Sequence, residues 1–354
     1  MKTGLKTPVR VMVVEDSLVV RQLLSALITR DPRLMLVAAV ASAEEAYREI
    51  SRVRPDVISM DIRLPGDSGL DATRRIMAEH PTPIVVFADS INDSSLKISM
   101  NALRAGALSV VEKPVGTMTD GYEELAETLC TQLYIMSQVP VIRQRPARQL
   151  VQKEGPQADF TAALPPSLIA IAASTGGPPA LAKVLGSLPA DFPVPILVVQ
   201  HMGAAFMEGF ASWLDGLVEM PVGLAHDQEV ALPGHIYVAP GNAHLTVGPG
   251  NLMRLSYEPP LSSQRPSATI LFQSLARSIG PRGLGVILTG MGEDGARGML
   301  DMRQAGAFTI AESEQTCVVY GMPAAAVRLG GVRAILPLDT IAARLMHLVQ
   351  APGA

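Results

Sequence analysis

The amino-acid sequence predicts an α/β protein of two domains, and three observations carry that reading. At 354 residues the chain exceeds one typical domain, so two cores are the natural expectation. Both halves alternate short β-branched runs with segments of helical period, the pattern of parallel strands covered by helices. Between them, over residues 137–166, the pattern dissolves into a stretch rich in Pro, Gln and charge with no apolar face, which reads as a flexible linker. The domains are accordingly expected at 8–136 and 167–350.

The elements of the first domain follow from this alternation. Strand-like VRVMVVED precedes the helix-period SLVVRQLLSALITR; LMLVAAVAS precedes AEEAYREISRV; DVISMDI precedes LDATRRIMAEH. PIVVFAD then precedes SSLKISMNALRAG, and LSVVEKP precedes YEELAETLCTQLYIM. Five strands and five helices in strict alternation describe an open, five-stranded parallel sheet with both faces covered. The second domain opens with SLIAIAAS, a helix from PALAKVLGSL, the strand PILVVQH and the helix FMEGFASWLDGLV. A turn-rich stretch, HIYVAPGNAHLTVGPGNLMRLSY, reads as an antiparallel β-hairpin excursion from a doubly wound, mostly parallel sheet. ATILFQSLARSIG, LGVILTGMG, ARGMLDMRQAG and FTIAE then restore the strand and helix alternation before the terminal helices.

Composition narrows the function. A net charge of −4 offers no basic face for a phosphate backbone, so nucleic acid is not expected as a partner. Two isolated cysteines, Cys130 and Cys317, make neither a disulfide framework nor a metal knuckle, which fits a cytoplasmic protein. The apolar run after Lys2, Lys6 and Arg10 is broken at Glu15 and Asp16, too early for a secretory leader. No run approaches the about 20 apolar residues of a membrane span, so the mean hydropathy of +0.27 reflects dense cores.

Functional groups of an open parallel sheet gather beyond the carboxyl ends of its strands. In the first domain Glu15 and Asp16 end the first strand, Asp61 the third and Lys113 the fifth, before Pro114. Three carboxylates around one point repel one another unless a hard cation such as Mg²⁺ lies among them. A carboxylate beside that metal and a lysine ammonium can accept a phosphoryl group, since both cations neutralise the transferred oxygens. VVEDS, MDIRLPGDSG and VVEKP together resemble the response-regulator receiver family, whose fold is flavodoxin-like. That resemblance implies Asp61 as the phosphorylated residue, Glu15, Asp16 and Asp61 as Mg²⁺ ligands, Lys113 as the phosphoryl contact and a cis peptide before Pro114. Two positions depart from the family pattern. Ala88 stands where a Ser or Thr ends the fourth strand and Val110 where an aromatic residue lies near the end of the fifth, which implies weak or rerouted coupling of phosphorylation to conformation.

In the second domain Ser174 follows a strand in ASTGGPP and precedes a helix, so glycines admit close approach of a ligand and free N–H groups face it. Neither a dinucleotide fingerprint nor a Walker loop is present, nor the G-x-S-x-G elbow. His201 ends the next strand and Asp294 follows a later one in VILTGMGEDG. A hydroxyl, an imidazole to take its proton and a carboxylate to orient the imidazole make a nucleophilic relay plausible. His235 and His244 lack partners for a metal site.

The run of ASTGGPP, VVQHM, LPGHIYVAPGNAHL, RPSATILFQSLA, GVILTGMGEDGARGM and CVVYGMPAAA resembles the catalytic domain of the CheB family of chemotaxis protein-glutamate methylesterases. That resemblance implies Ser174 as nucleophile, His201 as general base and Asp294 as its orienting acid, with Thr175 and Met291 lining the nucleophile and the oxyanion site. It further implies hydrolysis of glutamate methyl esters, deamidation of certain glutamines, no cofactor in this domain and Mg²⁺ only in the receiver. Methyl-accepting chemosensory receptors are the implied substrates, a CheA-type histidine kinase the implied phosphodonor, and contact with membrane is through receptors alone. The unphosphorylated receiver is implied to obstruct the esterase. Competing readings are a non-catalytic adaptor on the same fold, a small-molecule esterase and a DNA-binding regulator.

Overall fold

The computed structural model describes residues 7–88, 102, 105, 107, 109–112, 122–138 and 164–350. The chain divides into two compact units, Met1–Leu150 and Val151–Ala354. Within the expected linker, residues 139–163 lie outside the described residues, as do Lys113, Pro114 and most of the helix expected over 94–106.

The first unit runs β1 (Val9–Val14), α1 (Leu18–Arg30), β2 (Leu34–Val40), α2 (Ala43–Val53), β3 (Val57–Asp61), α3 (Gly69–Glu79), β4 (Ile84–Ala88), β5 (Ser109–Glu112) and α4 (Tyr122–Met136). The sheet order is β2-β1-β3-β4-β5, with every pairing parallel. Such a sheet must bury its central strands on both faces, and β3 is buried throughout. Serines start three of the helices: Ser17, Ser42 and Ser68 accept from the N–H of Val20, Glu45 and Asp71. Each such cap stabilises its helix by about 1 kcal/mol over alanine. Ala88 ends β4, and Val110 lies half-buried in β5.

In the second unit the elements are β6 (Leu168–Ala173), α5 (Gly177–Leu185), β7 (Ile196–Gln200), α6 (Met207–Asp215), β8 (Val222–Leu224), β9 (Ile236–Val238), β10 (His244–Val247) and β11 (Met253–Ser256). They continue with α7 (Ala268–Ser278), β12 (Gly283–Ile287), α8 (Ala296–Gln304), β13 (Phe308–Glu312), α9 (Met322–Arg328), β14 (Ala334–Leu336) and α10 (Leu338–Gln350). Seven strands form one parallel sheet in the order β14-β13-β12-β6-β7-β9-β8. The expected antiparallel excursion is shorter than the sequence suggests. Only β10 and β11 pair as a hairpin, while β9 joins the main sheet beside β7. Three alternating residues satisfy either partner, and burial of Ile236 and Val238 selects the core sheet.

The chain leaves β6 toward β7 on one side and later returns to place β12 on the other. This reversal falls at β6, and the carboxyl end of the strand at such a reversal is the place where α/β sheets bind ligands. Glycines bring the surrounding helices close. A Cβ at Gly298 of α8 would fall 2.6 Å from Phe272 Cβ and 2.7 Å from the Thr269 carbonyl, so α7 and α8 touch backbone to side chain there.

Candidate active site

Ser174 stands at that reversal, one residue beyond β6. Its N–H donates to the Thr289 carbonyl at 3.0 Å, and its carbonyl accepts from Gly177 N–H at 2.8 Å. The first bond ties the serine to the segment after β12, and the second closes a tight turn into α5. Gly176 sustains that turn at φ +77, and Val318 packs so closely that a Cβ at 176 would lie 2.5 Å from Val318 Cβ. Only glycine satisfies both the left-handed backbone and the space. Thr175 is buried, its carbonyl accepting from Thr289 Oγ1 at 2.9 Å. Gly290 lies against Ser174, where a Cβ would approach Ser174 Cβ to 2.8 Å, and Met291 beside it is 42% exposed. With the N–H groups of Ser174 and Gly177 engaged, those of Thr175 and Gly176 have no protein acceptor among the described residues. These two are the turn donors able to face an oxyanion.

His201 enters from the neighbouring strand. Ala173 pairs with Gln200 across β6 and β7, and His201 N–H donates to the Ala173 carbonyl at 3.0 Å. Ser174 and His201 therefore follow paired residues at one sheet edge. The His201 Nε2 lies 2.9 Å from Asp294 Oδ2, with both side chains almost wholly buried. Nε2 faces the carboxylate, so Nδ1 is the nitrogen left for a hydroxyl proton.

Asp294 is held by the start of α7. Its Oδ2 accepts from Ala268 N–H at 2.7 Å, and its Oδ1 accepts from Thr269 N–H at 3.0 Å, Gly295 N–H at 2.9 Å and Ser267 Oγ at 2.7 Å. Thr269 Oγ1 accepts in turn from Gly295 N–H at 2.7 Å. A carboxylate at a helix N-terminus meets unpaired amide donors and the positive end of the helix dipole. Burial works against the charged form of Asp294, but its hydrogen bond and charge interaction with His201, then Ser267 and Thr269, outweigh it and hold the carboxyl down to about 2. The carboxylate thus stays ionised and able to stabilise an imidazolium.

His244, unassigned by its sequence setting, supports the same region. It is fully buried, with Nε2 on the Pro259 carbonyl at 3.2 Å and Nδ1 accepting from Ser267 N–H at 3.1 Å. Sequence reasoning missed Ser267 and Thr269. A serine immediately before the apolar run ATILF is a helix-start signal, and it caps α7 through Ile270 N–H. Its second bond, to Asp294, spans residues far apart in sequence and has no local signal.

In the first unit, Glu15 and Asp16 follow β1 directly and Asp61 ends β3. One carboxylate oxygen from each lies within 4.8 Å of the others; Glu15 and Asp61 are buried and Asp16 is exposed. Asp61 Oδ1 accepts from Arg63 N–H at 3.2 Å, and Glu15 Oε1 from Ser17 N–H at 3.2 Å. Oxygen donors only, two of them buried, fit a hard divalent cation such as Mg²⁺. Gly69 lets the loop after β3 fold back, since a Cβ there would overlap the Asp61 carbonyl at 2.0 Å.

Comparison with known proteins matches residues 169–345 to the CheB methylesterase family and residues 11–120 to the response regulator receiver domain. A protein-glutamate methylesterase/protein-glutamine glutaminase of Paramagnetospirillum magneticum is 51% identical over 347 residues, covering 97% of this chain and 98% of that one. One from Myxococcus xanthus is 42% identical, covering 98% of each. Among solved structures, the CheB methylesterase catalytic domain of Thermotoga maritima aligns at 36% identity with a TM-score of 0.51, over 52% of this chain and 99% of that one.

Proposed function

Because the chain belongs to the CheB methylesterase family and carries a response-regulator receiver domain before its catalytic domain, we propose that Ser174, His201 and Asp294 hydrolyse glutamate γ-methyl esters on chemosensory receptors. The observation that carries this reading is the buried His201–Asp294 pair at the sheet edge that also bears Ser174. His201 takes the Ser174 proton as Oγ attacks the ester carbonyl, and a tetrahedral oxyanion forms against the N–H groups of Thr175 and Gly176. Collapse breaks the ester C–O bond, and the proton on His201 passes to the departing oxygen as methanol leaves. Water then attacks the acyl-enzyme by the same base and frees the glutamate. With a glutamine the leaving group is ammonia. One oxyanion donor is worth about 2.7–4 kcal/mol in such a site. Thr175 and Met291 line the serine, with Met291 at the solvent side.

In the receiver, Asp61 is the phosphoryl acceptor and Glu15, Asp16 and Asp61 hold Mg²⁺, which would neutralise the charge on the transferred oxygens. Lys113 is the phosphoryl contact, and a CheA-type histidine kinase the donor. Among the described residues no helix is long and apolar enough to cross a membrane; action from the cytoplasm on membrane receptors is part of the proposal.

The test is methanol release from methyl-labelled receptor membranes. The full chain is expected to release methanol and the Ser174→Ala chain to fall to background; equal release by the two would overturn the assignment.

A further inference from the structure

Nucleophile and base arrive on neighbouring strands, and one buried side chain ties their backbones together. Gln200, the last residue of β7, is 1% exposed. Its Nε2 donates to the Ser174 carbonyl and to the His201 carbonyl, both at 2.9 Å. An amide nitrogen has two hydrogens, so each is engaged by one of the two residues that carry the chemistry. The two acceptors also fix the sense of the amide, for a reversed one would set oxygen against both carbonyls. The Ser174 carbonyl is gripped a second time by Gly177 N–H.

The other end of the amide is equally constrained. Oε1 is buried with no hydrogen-bond partner among the described residues. It lies over Gly177, where an added Cβ would come within 2.0 Å of it. A side chain that only filled the core at the end of β7 would be served by an apolar residue like those preceding it, which would bury no unmatched acceptor. The two bonds to the site are what an apolar residue could not supply.

We infer that Gln200 is a positioning residue that clamps the backbones of Ser174 and His201 at the separation needed for proton transfer between them. The inference rests on the esterase reading of those two residues. Gln200 itself faces neither substrate nor reacting atoms, so its loss affects turnover and leaves substrate affinity unchanged.

The experiment uses the full chain with Gln200→Met, which keeps length and removes both donors, and Gln200→Glu, which keeps shape and opposes oxygen to both carbonyls. Methanol release is measured for each, beside wild type and Ser174→Ala, together with the rate at which a fluorophosphonate labels Ser174. Displacement of reacting groups on the order of 1 Å lowers rates about 100-fold, so kcat is expected to fall about 10- to 100-fold with KM within about twofold. Labelling of Ser174 should slow in parallel. A kcat within about twofold of wild type in both variants would overturn the inference and leave the esterase reading standing. Loss of cooperative unfolding in both would make Gln200 a folding determinant and overturn it as well. Failure of the esterase reading has its own signature, a wild-type chain that releases no more methanol than Ser174→Ala.

Discussion

Two buried carboxylates of the catalytic unit respond to pH in opposite senses. Asp294 is lowered from 3.8 to about 2. A lowered acid contributes stability above its unfolded value and loses it as pH falls through the folded one. Its contribution, about 2 kcal/mol, is therefore present above pH 4 and lost between about 4 and 2. Asp294→Asn should flatten acid unfolding in that window, as followed by circular dichroism. The same variant leaves an acceptor for the α7 amides but sets an NH₂ or oxygen against His201 that no longer selects the productive tautomer, so kcat is expected to drop about 10⁴-fold. Glu312, fully buried at the end of β13, is raised by burial, although Thr289 N–H donates to it at 2.8 Å. A raised acid favours the neutral form in the fold, so stability declines as pH climbs above its ordinary value. Glu312→Gln keeps the acceptor without the charge; it should melt higher than wild type at pH 8, with the difference vanishing toward pH 4.

At the scale of elements, the contact between α7 and α8 determines where Asp294 meets its donors. Gly298→Ala drives a methyl into Phe272 and the Thr269 carbonyl. Overpacking of this kind destabilises by about 1–3 kcal/mol. It also shifts the Ala268 and Thr269 amides, so the unfolding midpoint and kcat should fall together in one preparation. The strands of the main sheet were legible because LIAIAA, ILVV and GLGVI are continuous apolar runs, each within a strand buried throughout. The partner of β9 was not, since three residues leave the choice to tertiary burial. Ser174, His201 and Asp294 are expected from their places after strands, and of that expectation the structure bears on one contact, setting His201 against Asp294. Gln200 was hidden for a physical reason: a polar residue closing an apolar strand looks alike whether it faces solvent or bridges two carbonyls.

At the scale of the whole molecule, two units with separate sheets divide the chemistry. An acid cluster lies in one and the buried His201–Asp294 pair, to which ester cleavage is assigned in the proposal, in the other. A small phosphodonor with Mg²⁺ should therefore change methanol release by the full chain, and Asp61→Ala should abolish the response while keeping the basal rate. Chelation of Mg²⁺ should block phosphorylation and spare the basal rate, since no metal takes part in the serine chemistry proposed here. If Ala88 and Val110 stand at the switch positions that the receiver resemblance implies, the expected response is small.

The grip on Asp294 has a consequence for how the site can be dissected. Three of its four hydrogen-bond donors besides His201 are main-chain amides, those of Ala268, Thr269 and Gly295. Alanine scanning removes the Ser267 and Thr269 side chains but leaves every one of these amides in place, so it would register only the side-chain share of the hold on Asp294. Replacing single peptide linkages by esters, which deletes an N–H and keeps the side chain, would reveal what such a scan overlooks.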